Sequence, residues 1–306
     1  MDEITVTAPA TVSNVVCGFD CLGFALERPR DRFTLRRIPE KVVRIINKDG
    51  FGLPVDPERN IAGVTLVAML EDSGVDHGFE FESDKRIKPG SGIGSSAASA
   101  CGAAVAANEL LGRRYSQDQL IEFALAGEML ASSARHADNV APCILGGFTL
   151  VRSTDPLDIV LLDHPDLFAA VLHPQIEVRT SEARDLLPKT ISLSSAVPAW
   201  ANLGAFVAGL SAGDYGLIGR SMVDEIVEPA RRFLIPLFDE LKRASLDSGA
   251  IGGGFSGSGP SVFMLSRDRP TAERVAKEMR NLYAARGIEF NTYISAISSE
   301  GVRIEK

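Results

Sequence analysis

Between Ile87 and Gly112 the chain reads IKPGSGIGSSAASACGAAVAANELLG, with Gly90, Gly92 and Gly94 alternating with Ser91, Ile93 and Ser95. Glycine reaches φ > 0 and lets a ligand approach the backbone with no Cβ in the way. The small apolar residues that follow predict a helix from about Ser95 to Leu111, ended by Gly112. A helix N-terminus carries unpaired N–H groups and about half a positive charge. Loop and helix together read as an anion site, most often for phosphate. No G-K-[ST] follows, which excludes a Walker A loop, and the G-x-G-x-G spacing is not the dinucleotide fingerprint. The other reading is a Gly/Ser turn in front of a core helix.

A second candidate is Glu128 in LAGEMLA. On a helix it shares a face with Leu125 and Ile121, and a carboxylate on an apolar stripe needs a partner or a cation. Its immediate helical neighbours are not basic, so a distant arginine meets it, or it caps a neighbouring helix, or it holds Mg²⁺, which takes one or two carboxylates plus phosphate oxygens. Asn14 and Asp20, in APATVSNVVCGFDCLGFAL, read alone as turn residues. Arg184 and Arg231 read alone as surface or helix-pair charges, and His136 as a structural histidine.

These residues need elements to carry them. Period-two alternation predicts strands at DEITVTAPAT, DRFTLRRI, KVVRIIN and GFEFESDKRI. NIAGVTLVAMLEDSG predicts a short helix stopped by Gly74. Ser116 and Gln119 form a capping box at the start of the helix that carries Glu128. Further strands are expected at GGFTLVRS, DIVLLDH, LFAAVLHP, SVFML and IEFNTYISAI. Helices are expected at SEARDLLP, WANLGAFVAGLSAG, GLIGRSMVDEIVEP and PLFDELKRASLDSG, and from about Pro270. GGGFSGSGPS reads as a second glycine loop. The pattern is α+β, divided near residues 155 to 170.

The chain has 306 residues, 45% of them hydrophobic, and a net charge of -8, enough for a substantial core and without the basic face of a nucleic-acid binder. The start MDEITVTAPA lacks the positive and apolar regions of a signal peptide. No run of about 18 apolar residues is evident, so no membrane span is expected. Cys17, Cys21, Cys101 and Cys143 form no C-x-x-C pair, and the four histidines are scattered, which argues against a zinc site and for thiols in a reducing cytoplasm.

Taken in order, the segments resemble the kinases of the GHMP superfamily, and among them the homoserine kinases. KPGSGIGSSAAS matches the superfamily's second motif and GGGFSGSGPSVF its third. The homoserine kinase branch is indicated by APA…N…GFDCLGFAL, HADNVAPCILGGFTLV, RTSEARDLLP and IVEPARRFLIP. The resemblance spans essentially the whole chain. It implies an N-terminal strand and helix domain with a left-handed βαβ crossover (residues 1–160) and a ferredoxin-like C-terminal domain (161–306). It also implies phosphoryl transfer from ATP to the side-chain hydroxyl of L-homoserine on the threonine route, in a cytoplasmic homodimer with no nucleic-acid or membrane partner.

Carried over residue by residue, the resemblance places Pro89, Gly90, Ser91, Gly92, Ile93, Gly94, Ser95 and Ser96 around the ATP phosphates. Ser96 and Glu128 would hold Mg²⁺. Asn14, Asp20, His136, Asn139, Arg184, Arg231 and Gly257 would contact homoserine, with Gly259 in the site wall and Thr180 near the transferred phosphoryl group. Asp20 suits the substrate ammonium; Arg184 and Arg231 suit its carboxylate in forked geometry. Asp138 is the candidate base nearest in sequence; a structural role beside Asn139, or loss of the proton to the γ-phosphate, is the alternative. The first motif departs from the usual SANLGPGFD: Val15, Val16 and Cys17 stiffen the turn and put its shape in question, and Cys17 is a candidate for modification. A GHMP kinase for mevalonate, shikimate or a sugar, or a non-catalytic ATP sensor, are the rival readings.

Overall fold

The computed structural model describes residues 2–132, 135–178 and 180–305, with the side chains of residues 131, 132, 180 and 181 outside the description. The elements run β1 (Glu3–Ser13), β2 (Leu22–Ile38), β3 (Val43–Asn47), α1 (Ile61–Ser73), β4 (Gly78–Asp84), α2 (Ser95–Leu110), α3 (Gln117–Ser132), α4 (Val140–Leu145), β5 (Phe148–Thr154) and β6 (Leu157–Leu162). They continue with β7 (Phe168–Pro174), α5 (Thr180–Asp185), α6 (Leu193–Ala212), α7 (Tyr215–Ser221), α8 (Val227–Arg231), α9 (Phe238–Asp247), β8 (Gly252–Phe255), β9 (Val262–Ser266), α10 (Arg269–Ala284), β10 (Phe290–Ala296) and β11 (Arg303–Ile304). The fold is α+β, as expected.

One sheet has the order β11-β1-β2-β4-β3, with β5 and β6 branching from β2. β2 is long enough to change neighbours: Leu22 to Phe24 pair with β5, and Arg32 to Ile38 pair with β4. β3 and β4 are parallel and joined through α1, a βαβ unit. The second sheet has the order β10-β7-β9-β8 and is antiparallel throughout.

Three local expectations need correction. GLIGRSMVDEIVEP is two helices, not one: the Asp224 carboxylate accepts from the N–H groups of Ile226, Val227 and Glu228 at 2.8–2.9 Å and starts α8 afresh. The run GGGF, expected in a loop, is β8. A Cβ on Gly253 would lie 2.0 Å from the Phe263 carbonyl oxygen, so β8 and β9 come this close only without one. And α6 is long and apolar enough, by length and composition, to cross a membrane, although no segment of that kind was expected. It contains Pro198, and Leu193, Val197 and Trp200 along one side are 75%, 56% and 61% exposed.

The alanine-rich helix α2 is the centre of the first unit. Its alanines from Ala97 to Ala107 are buried, and the helix packs on β1, β2, α1, α3 and α4. Small side chains permit this approach, and Gly102 limits it: a Cβ there would sit 2.3 Å from the Phe33 ring. Phe33 stacks on Phe81 at 5.1 Å and lies 5.5 Å from the Lys85 ammonium. Overpacking at such a contact costs about 2–3 kcal/mol. Gly102→Val is therefore expected to lower the unfolding free energy in urea by about that amount, with the slope unchanged; a loss under about 0.5 kcal/mol, the scatter of surface changes, would show that helix and sheet are not held this close.

Candidate active site

A cavity of about 390 Å³ opens between the two sheets. Of the glycine loop, Pro89, Gly90, Gly92, Gly94, Ser95 and Ser96 line it. Gly90, Gly92 and Gly94 have φ of +74°, +80° and +70°, conformations that L side chains rarely adopt. Ser91 and Ile93 of the same loop are fully buried and are not among the residues that line the cavity. Gly94 is the N-cap of α2 and makes no side-chain cap bond, so the first N–H groups of the helix stand at the cavity.

The loop is held on its carbonyl side by the second glycine segment. Ser256 donates to the Gly92 carbonyl at 2.7 Å and Ser261 to the Ser91 carbonyl at 2.6 Å. A Cβ on Gly92 would lie 2.5 Å from the Gly259 carbonyl oxygen, so the two loops touch backbone to backbone. Beneath the start of α2, the buried Lys85 ammonium pairs with Asp31 at 2.5 Å and donates to the Ser95 carbonyl and the Ser99 hydroxyl, both at 2.9 Å. Asp31 also accepts from the N–H groups of Arg86 and Ile87. On the far wall Leu53, Pro54 and Asn60 line the cavity, and Asn60 caps α1 while donating to the Pro54 carbonyl.

Glu128 comes from α3 into the same cavity, buried, and hydrogen-bonds the Ser96 side chain on α2. The Ser96 hydroxyl is a partner that the sequence did not indicate. Burial pushes its carboxyl up to about 7, against the pull of Ser96. The Ser96 hydroxyl and the Glu128 carboxylate are hard oxygen donors beside a helix N-terminus that attracts phosphate, and Mg²⁺ takes such donors with phosphate and water completing the shell. Among the described residues no group of three or more acidic, histidine or cysteine side chains could hold a metal on its own. The donor set therefore fits a cation that arrives with a phosphate.

Asp138 and Asn139 lead into α4. Thr11 donates to Asn139 Oδ1 at 2.7 Å, Asn139 Nδ2 donates to Ser13 Oγ at 2.8 Å, and the Ser13 side chain hydrogen-bonds Asp138. Burial and the nearby Asp20 charge push Asp138 up to about 7. Asn14 sits at φ +66° and is spent on scaffolding: Oδ1 accepts from the Asp20 N–H at 2.8 Å, and Nδ2 donates to the Gly257 carbonyl at 2.7 Å. The first-motif turn closes with Val16 at φ +51°, an outlier for a β-branched side chain. Val15 and Val16 are buried and hold it. Burial pushes the Cys17 thiol up to about 12, so at neutral pH it is protonated and a poor nucleophile.

Asp20, His136, Arg184, Arg231 and Gly257 also reach the cavity. His136 Nδ1 lies 3.7 Å from Asp20, and burial holds the imidazole below its ordinary pKa, hence neutral at pH 7. Arg231 is buried and donates through Nε to the Ala183 carbonyl at 2.7 Å. Arg184 and Arg231 both stack on Phe19, at 5.7 and 5.3 Å. The Thr180 side chain lies outside the described residues.

Comparisons with known proteins show the family to which the chain belongs. The family model described as the GHMP kinases N terminal domain matches residues 60–147, and that of the GHMP kinases C terminal matches residues 206–285. The homoserine kinase of Chlorobaculum tepidum is 44% identical, covering 99% of this chain and 98% of its own. The chain is a GHMP kinase of the homoserine kinase branch. The homoserine kinase of Methanocella arvoryzae is 39% identical over 99% of this chain and 98% of its own. Among solved structures, the homoserine kinase of Cytophaga hutchinsonii superposes with a TM-score of 0.96 at 48% identity, covering 100% of this chain and 98% of that one. The mevalonate kinase of Leishmania major, named in its structure as a complex with R-mevalonate, reaches a TM-score of 0.72 at 14% identity and covers 96% of each chain, a likeness of fold alone.

GHMP kinases use ATP as the phosphate donor. Ser256, Ser261, Lys85 and Asp31 have no counterpart among the residues singled out from the sequence. Each acts through a carbonyl or amide of the loop, and each neutral hydrogen bond of this kind is worth about 1 kcal/mol. The double variant Ser256→Ala/Ser261→Ala of the kinase is expected to raise the KM for ATP about tenfold or more, with the KM for the acceptor changed much less. An unchanged KM for ATP would mean that the loop keeps its shape without the two hydroxyls.

Proposed function

We propose that the protein phosphorylates the side-chain hydroxyl of L-homoserine with ATP, giving O-phospho-L-homoserine for threonine biosynthesis. The observation that carries this is one cavity that joins a phosphate loop to a carboxylate, Asp20, and two arginines, Arg184 and Arg231. A zwitterion needs both signs of charge, and a hydroxyl set between them and the loop is placed for transfer. The relatives named homoserine kinase, matched over nearly the full chain, support the same substrate.

Phosphoryl transfer depends on positioning and charge neutralisation more than on covalent help from the protein. In this reading the amides of Gly90, Gly92 and Gly94 and the N-terminus of α2 receive the triphosphate, while the Ser91 N–H is held by the Lys88 carbonyl. Ser96 and Glu128 hold Mg²⁺, which when bound neutralises phosphate charge. Arg184 and Arg231 take the substrate carboxylate in forked geometry, Asp20 takes the ammonium, and neutral His136 donates or accepts beside it. Thr180 is retained as a candidate near the transferred group on family resemblance alone. Asn139, fixed by Thr11 and Ser13, orients its neighbour Asp138. Asp138, raised to about 7 in a buried and pocket-lining position, takes the hydroxyl proton. The enzyme works in the cytoplasm as a homodimer of chains with domains 1–160 and 161–306. The exposed apolar side of α6 at Leu193, Val197 and Trp200 supports an interface of that kind.

The deciding assay is coupled ADP release with Mg-ATP, comparing L-homoserine with mevalonate, shikimate and galactose. Turnover is expected with L-homoserine and at least about 100-fold lower kcat/KM with the others, since none of them matches both Asp20 and the two arginines. Glu128→Gln should collapse turnover and weaken Mn²⁺ binding measured by electron paramagnetic resonance. Turnover with another alcohol would overturn the substrate; ATP binding without turnover of any would turn the reading to a sensor.

The base makes a separate prediction. A carboxyl raised to about 7 is the active carboxylate only above that pH, so kcat should fall about tenfold per unit below it. Asp138→Asn should cut kcat by a factor of about 10²–10⁴ and remove that acid limb. An acid limb that survives in the variant would assign it to Glu128, whose carboxyl is also raised to about 7, and would take Asp138 out of proton transfer.

A further inference from the structure

The two residues that meet opposite ends of the substrate meet each other in this structure. Arg184 Nη1 donates to Asp20 Oδ2 at 3.1 Å and Nη2 donates to Oδ1 at 3.0 Å, a forked and charge-assisted pair. Neither side chain is free to drift from this contact. Asp20 is at φ +59° with its N–H held by Asn14, and the Arg184 guanidinium lies over the Phe19 ring. The two side chains are 32% and 40% exposed, so both remain open to a ligand in the cavity.

We propose that this ion pair is a specificity device: a zwitterionic alcohol exchanges both of its partners at once, and an alcohol with a single charge cannot. The inference rests on the reading above, in which Asp20 takes the ammonium and Arg184 the carboxylate. A ligand that carries only a carboxylate takes Arg184 and strands the Asp20 charge, which faces Asp138 and the neutral His136. A ligand that carries only an ammonium takes Asp20 and strands Arg184 beside Arg231, a like charge. Either way a partly desolvated charge loses its partner, the unfavourable case for an ion pair. A zwitterion replaces one forked contact with two and strands nothing. Its halves therefore bind cooperatively, and rejection of singly charged alcohols comes from a repulsive element as well as from missing contacts.

The test uses isothermal titration calorimetry on the full chain with three ligands: L-homoserine, 4-hydroxybutyrate, which lacks the ammonium, and 3-aminopropan-1-ol, which lacks the carboxylate. Asp20→Asn should weaken L-homoserine yet tighten 4-hydroxybutyrate about threefold to fivefold, the worth of a partly exposed pair that no longer has to be broken. Arg184→Gln should tighten 3-aminopropan-1-ol by a similar factor, an arm that stands even where Asp20→Asn fails to fold. Glu225→Gln removes an equal but exposed charge just before α8, and should leave 4-hydroxybutyrate within twofold. Unchanged or weaker binding of both half-ligands in the first two variants overturns the device. So does tightening of 4-hydroxybutyrate by Glu225→Gln to the same extent, because charge removal alone would then explain it. Failure of L-homoserine itself to bind the unmodified protein overturns the substrate reading, and this inference with it.

Discussion

A loop that offers its N–H groups to an anion must find other partners for its carbonyls, and this requirement shapes the whole molecule. Gly92 and Ser91 give theirs to Ser256 and Ser261, side chains in the turn that joins β8 and β9 of the second sheet. Ser95 gives its carbonyl to Lys85, whose charge Asp31 balances. The Ser91 N–H is held within the loop by the Lys88 carbonyl, while Gly90, Gly92 and Gly94, all left-handed, are the loop glycines that line the cavity. The alanine-rich helix has the same cause. Its N-terminus can lie at the cavity only because its body is thin enough to lie deep against β1 and β2.

The acceptor end is organised by charge rather than by backbone. Asp20, Asp138 and Glu128 are acidic, and Arg184 and Arg231 oppose them across one cavity. Burial pushes Asp138 and Glu128 to about 7, which makes both responsive near neutral pH. Phe19 gives the two guanidiniums a common surface. The Asp20 carboxylate, paired with Arg184 and acting on Arg231, offsets the two like charges.

What could be read from the sequence was local. The alternation of Gly90 to Ser95, the small residues after it, the stop at Gly74 and the Ser116/Gln119 box each depend on neighbours in the chain, and all have the expected form. The misplaced carboxylate Glu128 was also visible, because an apolar helical face exposes it by contrast. Its hydroxyl partner was not, since Ser96 lies on another helix. Ser256 and Ser261 look like turn residues until the carbonyls they serve are known. Asp31 and Lys85 look like ordinary charges at strand ends. The break between α7 and α8 escaped because apolar periodicity continues through Met222 and Val223, while the carboxylate of Asp224 claims the backbone. Family resemblance brought Asp20, Arg184 and Arg231 to attention; nothing in their spacing foretold that the first two would join.

The bonds between Ser256 and Gly92 and between Ser261 and Ser91 span 164 and 170 residues of chain. Contacts of such separation form late, because the entropy of closing the intervening loop is lost before the contact returns anything. Helices such as α2, and the neighbouring pair β1 and β2, can assemble from adjacent sequence well before. A chain on its way to the native state therefore holds most of its helix and sheet while its nucleotide loop still lacks a fixed shape. Competence toward a nucleotide therefore comes after those local elements, because it needs contacts that they do not.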